Sequence, residues 1–112
     1  MCGRYVLSDT IKVKQRHSFD VSASYNIAPS HEVLVLNPNP VLMKWSYSPK
    51  WKLDMNLINC RSETLTEKPS FRGALRCIFV ADGWYEWKRT NNLKIPYFHH
   101  CGDDFVHFWK NP

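Results

Sequence analysis

The chain of 112 residues carries a net charge of +5, and 44% of its residues are hydrophobic, among them five Trp, five Tyr and six Phe. This aromatic content excludes an intrinsically disordered chain, and the length allows one domain with one modest core. No apolar run reaches the about 20 residues that span a bilayer, and the first residues lack the apolar core of a secretory signal; we therefore expect an intracellular protein, cytoplasmic or nuclear, with no membrane partner.

The first part of the chain predicts one short helix and one hairpin. Ser8 and Asp9 precede IKVKQRHSF and are suited to cap a short helix. The apolar run at 33–36 predicts a buried strand, and residues 25–29 predict the extended turn that leads into it. Because NPNP at 37–40 is a turn signal, VLMKWSY is expected to return as the second strand of the hairpin.

The second part predicts more short strands. Residues 57–61 are another extended piece, and 62–65 begin a helical turn that Pro69 interrupts. Tight turns are expected at Asp82-Gly83 and at Asn91-Asn92. The strands around them are predicted at 77–81, 84–87, 95–99 and 106–109. Short strands joined by turns indicate an α+β fold, mostly antiparallel sheet with a few short helices.

Metal chemistry has little support in this sequence. The cysteines include no C-x-x-C pair, and without a secretory signal reduced thiols are favoured over disulfides. The one run that resembles a set of metal ligands, His99-His100-Cys101, ends an apolar strand pattern. We therefore predict neither a metal site nor a cofactor.

Cys2 follows the initiator methionine directly, and its chemistry depends on whether Met1 is removed. Removal would leave a residue with a thiol and a free amine on adjacent carbons, whose ordinary pKa values are about 8.5 and about 8. Such an aminothiol captures aldehydes, because the amine forms an imine and the thiolate then closes a five-membered thiazolidine ring. The alternative is an ordinary residue of a poorly ordered chain end.

Four short blocks, taken together, carry a family resemblance. They are MCGR at 1–4, YNIAP at 25–29, NCRSET at 59–64 and DGWYEW at 82–87. In this order and spacing they resemble the SRAP (SOS-response-associated peptidase) family, the abasic-site processing proteins. The resemblance runs over residues 1–108 and covers the N-terminal half of typical members. It implies that residues 1–112 are a single SRAP-like domain, truncated at its C-terminal end relative to the family.

The resemblance implies a reaction in the DNA damage response. Met1 is removed, and Cys2 forms a thiazolidine crosslink with the ring-opened aldehyde of an abasic site in single-stranded DNA. The catalytic set that it implies is Cys2, Asn59 and Glu86. Because Glu86 stands between two aromatic residues of its block, we expect desolvation to raise its pKa and suit it to proton transfer. Asn59 offers a neutral amide for the sugar hydroxyls or the reacting amine.

Other residues of the blocks are expected to hold the DNA. Arg4 and Arg61 are predicted phosphate ligands, since a guanidinium contacts phosphate oxygens in pairs. Trp51 and Trp87 are predicted to stack on flanking bases, and Pro29 to shape the pocket wall. Trp84 is expected in the core instead. None of these residues reads base sequence, so binding should depend on salt and be indifferent to sequence.

One family element has no match in this chain, namely the histidine of a His-x-Arg-x-Pro-like motif in the C-terminal half. We therefore expect an incomplete domain whose exposed sheet edge invites self-association. Two alternatives stay open. The chain is an inactive or weakly DNA-binding fragment of the family, or it is a cysteine peptidase-like self-processing protein, in which Cys2 needs a base and an oxyanion hole.

Overall fold

A computed structural model describes residues 2–110 of the protein, and side chains are described for residues 2–106. The predicted removal of Met1 therefore lies outside the described residues. The elements in this part of the chain are β1 (Arg4–Leu7), α1 (Thr10–His17), β2 (Ser24–Ile27), β3 (Glu32–Asn37), β4 (Asn39–Lys44), a 3₁₀ helix (Pro69–Phe71), β5 (Cys77–Ala81), β6 (Gly83–Thr90), β7 (Leu93–His100) and β8 (Val106–Lys110). Neither helix found in residues 2–110 has the length and apolar character needed to cross a membrane.

The strands form two four-stranded sheets with antiparallel pairing throughout. Sheet A has the order β2-β1-β6-β7, and sheet B has the order β4-β3-β5-β8. The chain passes from sheet B to sheet A through a single bend at Asp82, between β5 and β6. The predicted α+β class with mostly antiparallel sheet is confirmed.

The core lies between the two sheets and is built around three aromatic rings. Tyr5 of sheet A lies 5.3 Å from Trp45, the residue after β4, and 6.1 Å from Phe79 of sheet B, measured between ring centroids. Trp45 meets Phe79 edge-on at 5.9 Å. Val35 and Val80, each fully buried, belong to the same core cluster as the rings. Tilted and edge-on contacts of this kind add to the free energy of area burial, so the trio links the sheets.

Two local predictions are confirmed by backbone geometry. Asp9 is the N-cap of α1, where its carboxylate accepts a hydrogen bond of 3.0 Å from the backbone N–H of Lys12. The hairpin of β6 and β7 turns at Asn91 and Asn92, whose φ angles are 42° and 66°. Asparagine tolerates this left-handed region, and two such residues in sequence match the twist of the flanking strands.

Other local predictions differ from the structure. Residues 25–27 belong to a strand, β2, instead of a turn, and 57–61 contribute only an isolated bridge between Leu57 and Tyr47. Pro69 begins the 3₁₀ helix where an interruption was expected. The reason is that the first position of a helical turn needs no N–H donor, so proline fits there.

Candidate functional site

Cys2 and Asn59, which are far apart in the sequence, are joined by a hydrogen bond. The Asn59 side-chain amide donates to the backbone carbonyl of Cys2 at 3.0 Å. The Cys2 thiol donates to the carbonyl of Arg4 at 3.4 Å, and the Cys2 side chain packs against the core. The N-terminal segment is therefore held from two sides at the residue that carries the thiol.

Trp45 contacts residues that flank three of the four sequence blocks, although it belongs to none of them. Its backbone N–H donates to His31 and its carbonyl accepts from Ser30, both at 2.9 Å, which holds the turn that contains Pro29. Its indole N–H donates to the carbonyl of Ile58 at 3.2 Å, one residue before Asn59. Since the ring also contacts Tyr5, Trp45 ties together the segments of Pro29, Asn59 and Cys2. A tryptophan that is 3% exposed needs a partner for its N–H, and the Ile58 carbonyl is that partner.

Glu86 lies beside the entry of the N-terminal segment into sheet A. The register pairs Arg4 with Tyr85 and Tyr5 with Trp84, so the next position along β6, Glu86, is level with Gly3. Glu86 is half-buried. Strand register thus brings Glu86 of β6 next to the residues that precede Arg4.

The surroundings of Glu86 differ from those expected. Side chains alternate between faces along a strand, and Tyr85 and Trp87, whose rings are 6.2 Å apart, lie on the face opposite to Glu86. Its neighbours on the same face are Trp84 and the cross-strand residue Tyr97. The expectation that the adjacent aromatic residues enclose the carboxylate is wrong, because adjacency in a strand separates side chains.

Tyr5 is a second residue near Cys2 that the sequence reasoning did not select. Its side chain is 1% exposed. Burial raises the pKa of the Tyr5 hydroxyl well above its ordinary value, and the negative charge of a nearby Cys2 thiolate raises it further. The phenol is therefore neutral at any physiological pH.

The residues predicted to contact DNA differ in exposure. Trp51 is 63% exposed, as expected, and Trp87 is 37% exposed. Arg61 is also exposed, whereas Arg4 and Pro29 are half-buried. Trp84, expected in the core, is half-buried and packs against the core.

The histidines of the predicted metal-like run do not converge. His99 stacks on Trp84 at 5.1 Å, and His100 stacks on Phe98 at 5.6 Å. These contacts lie on opposite faces of sheet A, since the two histidines are adjacent in β7. Within the part of the chain that the structure describes, no group of three His, Cys, Asp or Glu side chains is arranged to hold a metal ion.

Comparison with known proteins identifies relatives over nearly the whole chain. A family model described as SOS response associated peptidase (SRAP) matches residues 1–109. The abasic site processing protein YoqW of Bacillus subtilis is 38% identical, in a match that covers 86% of this chain and 52% of that protein. The abasic site processing protein YedK of Escherichia coli is 32% identical, with coverage of 92% and 55%. The chain thus spans about half the length of these curated relatives.

Solved structures agree with this result. A phage-related protein from Bordetella bronchiseptica superposes with a TM-score of 0.72 at 26% identity, covering 96% of this chain and 59% of that one. A protein from Bacteroides thetaiotaomicron superposes with a TM-score of 0.69 at 24% identity, covering 92% of this chain and 50% of that one, which supports the fold alone. The two-sheet arrangement is therefore found in proteins that are considerably longer.

Proposed function

Because this chain belongs to the SOS response associated peptidase (SRAP) family, we propose that it processes abasic sites in single-stranded DNA by trapping the ring-opened aldehyde on Cys2. Residues 1–112 act in this proposal as one SRAP-like domain inside the cell, and Met1 is removed beforehand. The names of the relatives YoqW and YedK, both abasic site processing proteins, support the substrate class.

The proposed reaction needs only the aminothiol and proton transfer. The amine of Cys2 adds to the C1′ aldehyde, and loss of one water molecule gives an imine. The thiolate then adds to the imine carbon, and the nitrogen takes up a proton. The product is a thiazolidine ring, and its atoms and electrons balance without an oxidant or a reductant.

The hydrogen bond between Asn59 and the Cys2 carbonyl is the observation that carries the proposal. A free amine at the end of a chain normally moves with its terminus. Here the carbonyl of Cys2 accepts a hydrogen bond of 3.0 Å from the Asn59 amide. Trp45 positions this amide, because its indole N–H donates to the carbonyl of the preceding residue, Ile58. Holding the nucleophile in one place reduces the entropy lost on reaching the reactive geometry.

Glu86 is proposed as the proton-transfer group. Register places it level with Gly3, next to the residue whose amine must lose a proton and whose carbinolamine must lose water. A carboxylate can accept the first proton and return it to the departing hydroxyl. The same exchange run in reverse would release the DNA with its aldehyde restored. The family resemblance also implies lyase-like strand cleavage and self-processing that removes Met1.

Single-stranded DNA is proposed to contact the residues around this centre. Arg4 and Arg61 bind phosphates, Trp51 and Trp87 stack on bases, and Pro29 lines the pocket. Arg4 is placed best of these, since it follows Cys2 by two residues and pairs with Tyr85. Self-association through the edge strand β7 belongs to the same proposal, since in sheet A β7 pairs with β6 alone.

The test is a denaturing gel of the purified protein mixed with single-stranded DNA that holds one abasic site, with intact mass to report the state of Met1. We expect a heat-stable shifted band whose mass equals protein lacking Met1 plus DNA minus one water.

Three variants make the gel specific, namely Cys2→Ser, Cys2→Ala and Cys101→Ala. Cys2→Ser keeps the amine but lacks the thiol, so it should give a band only after reduction of the imine with borohydride. Cys101→Ala removes an exposed thiol outside the proposed site and should leave the band unchanged. A band that survives in Cys2→Ala, or an absent band in a protein whose Met1 is gone, contradicts the proposal.

A further inference from the structure

A row of aromatic side chains runs along the face of sheet A that is turned away from sheet B. Its members are Trp87, Tyr85, Phe98 and His100, and we call this set the aromatic row. Successive ring centroids are 6.2 Å, 5.2 Å and 5.6 Å apart. Phe98 is 45% exposed and Trp87 is 37% exposed. Ring faces therefore follow one another across two strands with solvent on their outer side.

The row lies close to the sheet because residue 83 is a glycine. Gly83 lies beneath Phe98, and a Cβ at this position would come within 2.5 Å of the Phe98 ring. Since real Cβ atoms do not approach so closely, only glycine at position 83 allows the Phe98 ring to pack against the backbone of β6. The end of the row opens into a cleft of about 270 Å³ between Tyr25, Tyr85, Phe98 and His100.

Cations flank the row on the side of Trp87, and the four strands of sheet A place no acidic side chain on its face. The carboxylate of Asp82 lines the cleft at the other end, where it accepts hydrogen bonds from Ser8. Arg4 is opposite Tyr85, and Lys94 lies over the Trp87 ring at 5.2 Å. Arg89 and Lys94 are directly opposite each other across the hairpin. Like charges in such a pair are destabilising. Glu86 is the one acidic residue in these four strands, and it lies on the other face.

We propose that the aromatic row extends the binding surface for single-stranded DNA from Trp87 across β6 and β7, so that bases beside the abasic site stack on the row and their phosphates pair with Arg89 and Lys94. The inference rests on the proposed function, in which the abasic site reacts at Cys2, two residues before Arg4. Aromatic faces interleaved with cations are the features by which proteins hold single strands without reading sequence. The opposed cations favour this occupant over a protein partner, because a polyanion relieves their repulsion and an apolar surface does not.

The experiment measures the affinity of undamaged oligothymidine by fluorescence anisotropy in the Cys2→Ala background, so that no covalent step contributes. Lengths of about 4 and about 15 nucleotides bracket the site size of one small domain. Phe98→Ser should weaken binding of the longer strand about tenfold. Leu42→Ser is the matched control, since Leu42 on sheet B is 47% exposed and should leave the affinity unchanged.

Charge variants test the phosphate contacts separately. Arg89→Gln and Lys94→Gln should each reduce the slope of log affinity against log salt by about 0.7, the value for one phosphate of a single strand. Equal affinities for Phe98→Ser and Leu42→Ser would overturn the inference. Dimers that form through the β7 edge pair by backbone groups and should persist in Phe98→Ser. Dimers in sedimentation velocity that dissociate in Phe98→Ser would overturn the inference, because the row would then be an interface between copies. If the affinities of the variants change as expected but the protein with Cys2 forms no crosslink, only the proposed reaction on Cys2 is refuted.

Discussion

The two faces of sheet A use the same kind of side chain for opposite purposes. On the inner face Tyr5 lies against Trp45 and Phe79 and is 1% exposed. On the outer face Phe98 and Trp87 make ring contacts at similar distances, yet they are 45% and 37% exposed. Contact between rings is therefore no measure of burial. What separates the faces is the second sheet, which covers one side of β1 and β6 and not the other.

This comparison separates stability from recognition. The inner rings lose water on folding and contribute to the free energy of unfolding. The outer rings keep much of their water, so they retain area that a ligand can bury. Variants of matched residues on the two faces should therefore affect different measurements.

The largest difference is expected between Phe79→Ala and Phe98→Ala. Phe79 is 6% exposed and contacts two core rings, so truncation should lower the free energy of unfolding by about 3–5 kcal/mol. Phe98→Ala should cost less than about 1 kcal/mol, because its ring is close to half exposed. Urea unfolding followed by tryptophan fluorescence measures both values. Equal losses would mean that the outer face is covered in solution.

A second pair of variants compares Trp45 with Trp51. Trp45→Phe removes the N–H that donates to Ile58 and leaves space in the core, so we expect a loss of about 1–2 kcal/mol in the free energy of unfolding. Trp51→Phe, at a residue that is 63% exposed, should change it by less than about 0.5 kcal/mol. Urea unfolding measures both values, and a Trp51→Phe loss as large as that of Trp45→Phe would contradict the assignment of Trp51 to the surface.

The crosslinking assay extends the Trp45 test to the site. Because Trp45 positions the segment of Asn59, Trp45→Phe should also slow the reaction of Cys2 with abasic DNA. An unchanged rate at an unchanged pH profile would show that the indole hydrogen bond supports the fold alone.

The last effect concerns Tyr5 and is absent at neutral pH, because it appears only at alkaline pH. Burial raises the pKa of Tyr5 in the folded protein, so above about pH 10 the unfolded chain loses this proton first. The free energy of unfolding should therefore fall by about 1.4 kcal/mol per pH unit beyond that point. Tyr5→Phe should lack this component, and urea unfolding across the alkaline range compares the two proteins. Parallel pH curves would contradict the assignment.

Local signals predicted the elements well where the decisive chemistry is local. Asp9 caps α1 and the Asn91-Asn92 turn closes the β6–β7 hairpin, since each depends on a few neighbouring residues. The predictions were poorer at residues 57–61 and at Pro69, where an extended pattern or a proline is compatible with several structures. Strand formation at 25–27 depended on pairing with β1, which local sequence does not specify.

For the candidate site, the sequence selected Cys2, Asn59 and Glu86, and the structure joins the first two directly. Their roles as catalytic residues stay predictions until the crosslinking assay is done. The contribution of Trp45 was missed, because its importance comes from contacts with residues 13 and more positions away.

The sequence by itself determined the family, the α+β class, the helix cap and the turn of the long hairpin, because motif spacing and turn chemistry are properties of neighbouring residues. Only the tertiary structure decided which face of β6 each aromatic residue occupies, that Asn59 holds Cys2, and that one row of rings is exposed to solvent. Those properties depend on strand register and on where the second sheet lies, and both arise from contacts between distant parts of the chain.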